Sequence, residues 1–350
     1  MVLHTGAAIF VDRHGFRLPA VYADFASEYE AATTTAGVHD ASYMGRLKAT
    51  GEDGLDLLNR MSTNNVMDLG VGEGAITILT TDRGRIIDVL GVVNQGDHVT
   101  LLTSPSRQQT VIEWLDKYTI MEDLTIENVT AETTMLALVG PDSETILGLT
   151  SSHGPQDSLT AHSVQLGEVD VLAIEQPLGT LSRYWLITSP DDATRLWQHL
   201  TEAGAVPLGW TAMEAARVNF GVPEFGPELG EPYNPLEAGL IGSVDFAKGC
   251  YIGQEVIARL DSYKKVQKYL VSLIFDAYAT VSPGDELLQG GKQVGTVTSV
   301  APEPSDGVLK GLGYVKAPAA IPGANLEVAG SEKGSAEILS LAQPYGPPKD

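Results

Sequence analysis

Gly74-Ala75-Ile76-Thr77-Ile78-Leu79-Thr80-Thr81-Asp82-Arg83-Gly84-Arg85-Ile86-Ile87-Asp88-Val89-Leu90-Gly91-Val92-Val93 carries two apolar runs with a turn between them. Its β-branched and aliphatic runs are too short for helices and are broken by Asp82-Arg83-Gly84, a turn sequence. Asn94-Gln95-Gly96-Asp97 supplies a second turn, and His98 to Thr103 a third apolar run. Gly74 to Ser104 therefore predicts a three-strand antiparallel meander. Alternation places Asp88 mid-strand, on one face with Ile86, Leu90 and Val92, while the other face is also mostly apolar. A carboxylate there is paired, satisfied by backbone N–H groups, or lines a cleft, because burying it unpaired costs too much. A cleft position would raise its pKa or prepare it to hold a cationic amine.

Outward from the meander, helical patterns flank it. Asp24 to Ala36 reads as a helix ended by Gly37, and Glu52 to Met61 as one with Leu55, Leu58 and Met61 on a face. Pro105 opens a helix carrying Val111, Trp114 and Leu115 inward. A second, similar pass follows: a strand over 134–139, a short helix over 141–149, strands over 169–174 and 184–188, and a helix capped by Ser189 and stopped at Gly204. Thr211 to Val218 is helical and 219–247 is a Gly/Pro-rich connector. From Lys268 onward, short strands are split by Pro283-Gly284, Gly290-Gly291, Pro304 and Pro322-Gly323, which predicts a separate small β-barrel or sandwich.

The chain has 350 residues, 43% hydrophobic and 19% charged, the composition of a globular protein with two or three domains. Its net charge of −23 repels polyanions and disfavours general nucleic-acid binding. One cysteine excludes an internal disulfide. With neither a basic amino-terminal leader nor an apolar run of membrane length, the chain reads as cytoplasmic and away from membranes. No zinc, Walker or nucleophile-elbow motif is present, so no metal site is expected.

That cysteine lies in Lys248-Gly249-Cys250-Tyr251-Ile252-Gly253-Gln254-Glu255. Two glycines suggest close backbone approach. Lys248 could lower the thiol pKa, while a lone cysteine equally serves as a small hydrophobe. Arg217, near the end of the 211–218 helix, either clamps a carboxylate bidentately or pairs with Glu214 one turn back.

Several stretches resemble the aminomethyltransferase (T-protein) of the glycine cleavage system. They are Phe10-Val11-Asp12-Arg13-His14-Gly15-Phe16-Arg17-Leu18-Pro19, Ala36 to Gly45, Gly84 to Asp88, Glu214 to Gly221 and the region from Lys268. Lys248 to Glu255 resembles the signature of the YgfZ family, a branch of folate-binding proteins linked to iron–sulfur protein maturation. The resemblance implies an α+β, three-domain aminomethyltransferase-like fold with mixed α/β domains and a carboxyl-terminal β-barrel. Residues 1–46 with 134–247 would form a discontinuous first domain and 47–133 the second. Residues 248–267 would be a signature loop and connector, and 268–350 the barrel.

The same resemblance implies a tetrahydrofolate site in a central channel faced by Asp88, with Arg217 on the folate tail and Met44 in contact. Cys250 would be a functional thiol tuned by Lys248, in a loop shaped by Gly249, Tyr251, Gly253, Gln254 and Glu255. The function implied first is assembly or repair of iron–sulfur enzymes, with iron–sulfur client or assembly proteins as partners. The alternative is a tetrahydrofolate-dependent aminomethyltransferase or methyltransferase using Asp88. Leu181 stands where the T-protein carries the glutamate that holds the pterin, and leucine accepts none of those N–H bonds.

Overall fold

This computed structural model describes residues 6, 9–149, 158–276, 280–329 and 334–344. Among them the meander forms as expected, as strands Glu73–Thr80, Ile86–Asn94 and Val99–Thr103. It is one part of an eleven-stranded sheet. The order is Val206–Pro207, Gly37–Asp40, Thr134–Val139, Arg183–Thr188, Val169–Glu175, Ser158–Leu166, Glu73–Thr80, Ile86–Asn94, Val99–Thr103, Gly45–Thr50 and Thr125–Asn128. A short pairing, Ser158 with Ala75 through Thr160 with Glu73, joins the two halves.

Each half is covered on one face by its own helices, which is why its strands are apolar on both sides. Leu57, Leu58 and Met61 of helix Gly54–Met61 pack with Val111 and Leu115 of helix Gln108–Asp116 on Leu79, Leu90 and Val92. Leu196, Trp197 and Leu200 of helix Ala193–Glu202 cover Leu136, Leu138, Val171 and Leu186. The opposite faces share one core, with Ile76, Val93, Leu102, Ala137, Ile174 and Trp185 against Met213 and Ala216 of helix Trp210–Asn219.

The carboxyl-terminal strands close a barrel in the order Lys268–Phe275, Leu309–Lys316, Lys292–Val300, Glu286–Gln289, Asn325–Val328 and Ser335–Leu341. Ala215 and Val218 of helix Trp210–Asn219 pack on Leu270, Leu312 and Tyr314 of that barrel. One helix thus ties sheet to barrel.

Several expectations change. Gly37 does not cap the first helix, Phe25–Thr34, but opens the next strand. It is needed there because an added Cβ would lie 2.4 Å from Leu208. The helix after Pro105 opens at Gln108, and the stretch 248–267 contains a helix, Gln254–Ser262. The meander also carries a β-bulge: Leu79 pairs with Asp88 but Thr80 with Ile86, leaving Ile87 unopposed. Ile86 therefore packs with Ile78 in one cluster, and Ile87 with Leu90 and Val92 in another. Strict alternation across Ile86 and Asp88 fails for that reason.

Candidate functional site

A cavity of about 150 Å³ lies between the sheet, helix Trp210–Asn219 and the Gly/Pro-rich connector. Tyr43, Trp185, Trp210 and Phe225 supply aromatic wall, and Met44, Val89, Leu102 and Met213 aliphatic wall. Its polar lining includes Ser104, Gln176, Arg183, Glu214, Arg217 and Glu224. Past the Arg217 cluster lies a second space of about 390 Å³, bounded by Arg13, His14, Thr298 and Ser299. The two share Trp210, Glu214, Arg217, Glu224 and Phe225.

Arg217 lines both spaces but is spent on protein. Its Nε and Nη2 meet Glu214 at 2.7 and 2.6 Å, and Nη2 also donates to Ser299 Oγ at 2.8 Å. Nη1 donates to Glu228 Oε2 and to the Val222 carbonyl, both at 3.3 Å. All five guanidinium donors are used. Burial opposes the charge of Arg217, yet Glu214 and Glu228 hold it above its ordinary pKa. The ion pair with Glu214 is present, and no donor is left for a ligand carboxylate. Arg217 instead joins helix Trp210–Asn219, the connector and barrel strand Lys292–Val300.

Glu224, from the connector, completes the cluster. Its Oε1 lies 2.9 Å from His14 Nε2 and its Oε2 3.5 Å from Arg217 Nε. Burial raises its pKa, but the adjoining His14 ring and the charge of Arg217 bring it below the usual carboxylate range. His14 stacks on Tyr43 with centroids 5.3 Å apart, and Tyr43 meets Trp210 edge-on at 5.7 Å. Neither Glu224 nor His14 stands out by residue type or spacing: Glu224 reaches both spaces from the connector, and His14 reaches the second from the turn between strands Ile9–Arg13 and Phe16–Val21.

Asp88 is 0% exposed and lies one layer behind the cavity wall, not on it. Its Oδ1 accepts from Val89 N at 2.9 Å and its Oδ2 from Ser104 N at 3.1 Å. Val89 and Ser104 both line the cavity. Burial pushes the Asp88 carboxyl up to about 6, against the Ser104 and Val89 hydrogen bonds and the charge of Arg107. The expected channel-facing position is therefore corrected: the bulge and the apolar helix-covered face take the side chain behind the wall.

The stretch 248–255 lies on the turn that precedes the Asp88 strand. Gly253 has φ +87, and a Cβ there would lie 2.6 Å from the Thr81 carbonyl. Thr80 Oγ1 donates to the Ile252 carbonyl at 2.6 Å. Lys248 Nζ donates to the carbonyls of Asn59, Ser62 and Asn64 at 2.6, 3.0 and 2.6 Å, binding the end of helix Gly54–Met61. All three ammonium protons have acceptors, and burial brings its pKa down to about 8. Cys250 is exposed, and Gly249 has open space around it. Tyr251 is buried against Ile78 and Ile86. Gln254 and Glu255 begin the helix Gln254–Ser262. Leu181 lies in the shared core rather than on the cavity lining. No cluster able to hold a metal ion occurs among the described residues. No helix among them is long and apolar enough to cross a membrane.

This body, a sheet with its cavity closed by a helix and a connector and with a barrel beyond them, is the fold of an aminomethyltransferase. It superposes on the glycine cleavage system aminomethyltransferase T of Bartonella henselae with a TM-score of 0.86, covering 99% of this chain and 98% of that one at 20% identity. Residues 2–248 match the family described as GCVT N-terminal domain, and the chain belongs to it. It is 33% identical over 318 residues to an Arabidopsis thaliana protein named "Putative transferase, chloroplastic", covering 89% of this chain and 72% of that one. It is 30% identical over 316 residues to the aminomethyltransferase of Rubrobacter xylanophilus, covering 88% and 83%. These names accord with the transferase reading rather than with iron–sulfur maturation, and they leave the YgfZ branch unmarked.

Proposed function

We propose that the protein is a tetrahydrofolate-dependent aminomethyl- or methyltransferase. The observation that carries this is the aromatic and apolar cavity with a buried carboxylate of raised pKa directly behind its wall. A flat heteroaromatic ring suits the Tyr43, Trp185, Trp210 and Phe225 walls, with Met44 in contact. Arg217, as bonded here, does not hold the ligand's anionic tail. Bound reduced folate supplies the amine that accepts the one-carbon unit.

The chain's own residues orient and dry that ligand, and Asp88 takes up a proton from the cavity side. A midpoint near 6 is suited to this, because a base works best with a pKa near the operating pH. Membership of the GCVT N-terminal domain family and the aminomethyltransferase relatives support the reading. Carbon-13 NMR tests it, following a labelled methyl or aminomethyl carbon from amine donors onto tetrahydrofolate. Transfer is expected from the wild type, with a loss of about 100-fold or more in Asp88→Asn. Equal rates in the two proteins end the role of Asp88, and transfer by neither ends the function.

A second reading, maintenance of iron–sulfur enzymes through Cys250, rests on the exposed position of that thiol. Cys250→Ser failing to restore iron–sulfur enzyme activity in a deletion strain would favour it.

A further inference from the structure

The turn Ser104–Arg107 follows strand Val99–Thr103 and stands between Asp88 and the cavity. Nothing in its residue types, Ser-Pro-Ser-Arg, marks it out. Ser104 lines the cavity, and its backbone N–H donates to Asp88 Oδ2 at 3.1 Å. Its hydroxyl also favours the ionised form of Asp88. Three residues on, Arg107 N donates to the Ser104 carbonyl at 3.2 Å, closing the turn. Arg107 Nη2 donates to the carbonyl of Ile87, the unopposed bulge residue, at 3.1 Å. Its guanidinium stacks 4.4 Å from the ring of Phe225, a cavity wall residue. Arg107 Nε is buried with no hydrogen-bond partner, so the group is held there by one hydrogen bond, one ring and the neighbouring negative charge.

We propose that Ser104 and Arg107 form a second half of the Asp88 site. Ser104 connects the buried carboxylate to the cavity, and Arg107 positions Asp88 by fixing the bulge. The proposal rests on the transferase reading for its purpose, but not for its geometry. Asp88 has no direct face on the cavity, whereas Ser104 touches both. With the Ser104 hydroxyl rotated onto Asp88, beside the backbone N–H already bonded there, a proton leaves an N–H or ammonium group in the cavity for Ser104 Oγ as the hydroxyl proton passes to Asp88. The ligand loses one proton, Asp88 gains one, and Ser104 is unchanged. A hydroxyl is suited to this because it donates and accepts at once and rotates freely. The partner strand sets apolar Leu79 opposite Asp88, and the charged neighbour acting on Asp88 is Arg107. A cation beside a buried carboxylate favours its ionised form. Without it the carboxyl would stay protonated to higher pH, leaving a smaller ionised fraction to accept a proton at a given pH.

Carbon-13 NMR of the Asp88 carboxyl in the full chain tests this without any turnover. The wild type is expected to titrate near 6. Arg107→Gln should move the midpoint up by about one unit or more, and Arg107→Lys by less, since lysine restores the charge but not the fork. Ser104→Ala keeps the backbone N–H, so its midpoint should rise by only about half a unit. Adding tetrahydrofolate should shift the Asp88 resonance in the wild type and leave it still in Ser104→Ala. Thermal melts confirm that each variant is folded. An unchanged midpoint in folded Arg107→Gln overturns the positioning role. A ligand-linked shift that persists in Ser104→Ala overturns the connection. If tetrahydrofolate gives no shift even in the wild type, both the proposed function and the Ser104 connection fall, while the Arg107 midpoint still decides the positioning role.

Discussion

Two loops hold the strand Ile86–Asn94, and they contrast in how they look and what they touch. The stretch 248–255 is conspicuous in sequence, with two glycines, a lysine and the chain's one cysteine. In the structure its lysine binds helix-end carbonyls and its second glycine admits the Thr80–Gly84 turn. The Ser104–Arg107 turn is plain in sequence, yet it meets the Asp88 carboxylate, the bulge and the cavity wall. Residues that stand out by type and spacing can do so because backbone packs tightly there. Chemistry collects instead where a buried charge meets a cavity.

The strongest destabilisation is expected in the Arg217 cluster, which lines the same cavity. Arg217→Met leaves Glu214, Glu224 and Glu228 without their shared cation, and should cost about 3–5 kcal/mol in urea unfolding. A folded, equally stable variant that merely loses ligand affinity would break the structural assignment of Arg217. Next is Gly253→Ala, which forces a side chain into positive φ and onto the Thr81 carbonyl. About 3 kcal/mol of destabilisation is expected there, from strain and overpacking together. A loss under about 0.5 kcal/mol would mean that the stretch 248–255 is not a clasp.

The third effect appears as a pH slope. The folded Asp88 carboxyl titrates near 6 against an ordinary value of 3.8. Between those values the folded state binds the proton more tightly than the unfolded one, so stability falls as pH rises through the window. Asp88→Asn removes that slope. Relative to wild type its unfolding free energy should rise, between pH 4 and pH 7, by up to about 3 kcal/mol. Parallel stability profiles for the two proteins would show that Asp88 is not desolvated.

Much of the fold was legible because its signals are local. The meander announces itself through Asp82-Arg83-Gly84 and Asn94-Gln95-Gly96-Asp97, and the barrel through its Pro-Gly and Gly-Gly breaks. Strands Gly45–Thr50 and Ser158–Leu166 lacked such punctuation, and Gly45–Thr50 is mostly buried, which hides its alternation. The bulge at Ile87 was invisible because an extra residue leaves no mark in an aliphatic run. Of the site, Asp88 was legible as a misplaced carboxylate and Arg217 as a candidate clamp. What Arg217 binds was not, because Glu224, Glu228 and Ser299 come to it from the connector and the barrel. His14 and Ser104 were missed for the same reason: each is an ordinary residue until the fold puts it beside a charge or a cavity.

Titration calorimetry with tetrahydrofolate on wild type, Met44→Trp and Cys250→Ser decides whether the cavity is the folate site. Met44 lines the cavity, so a tryptophan there should fill it, whereas Cys250 is exposed on the other loop. The wild type should bind one-to-one and Cys250→Ser undiminished, with a loss of about tenfold or more in Met44→Trp. Binding that survives Met44→Trp but disappears in Cys250→Ser, or no binding by the wild type at all, would contradict it.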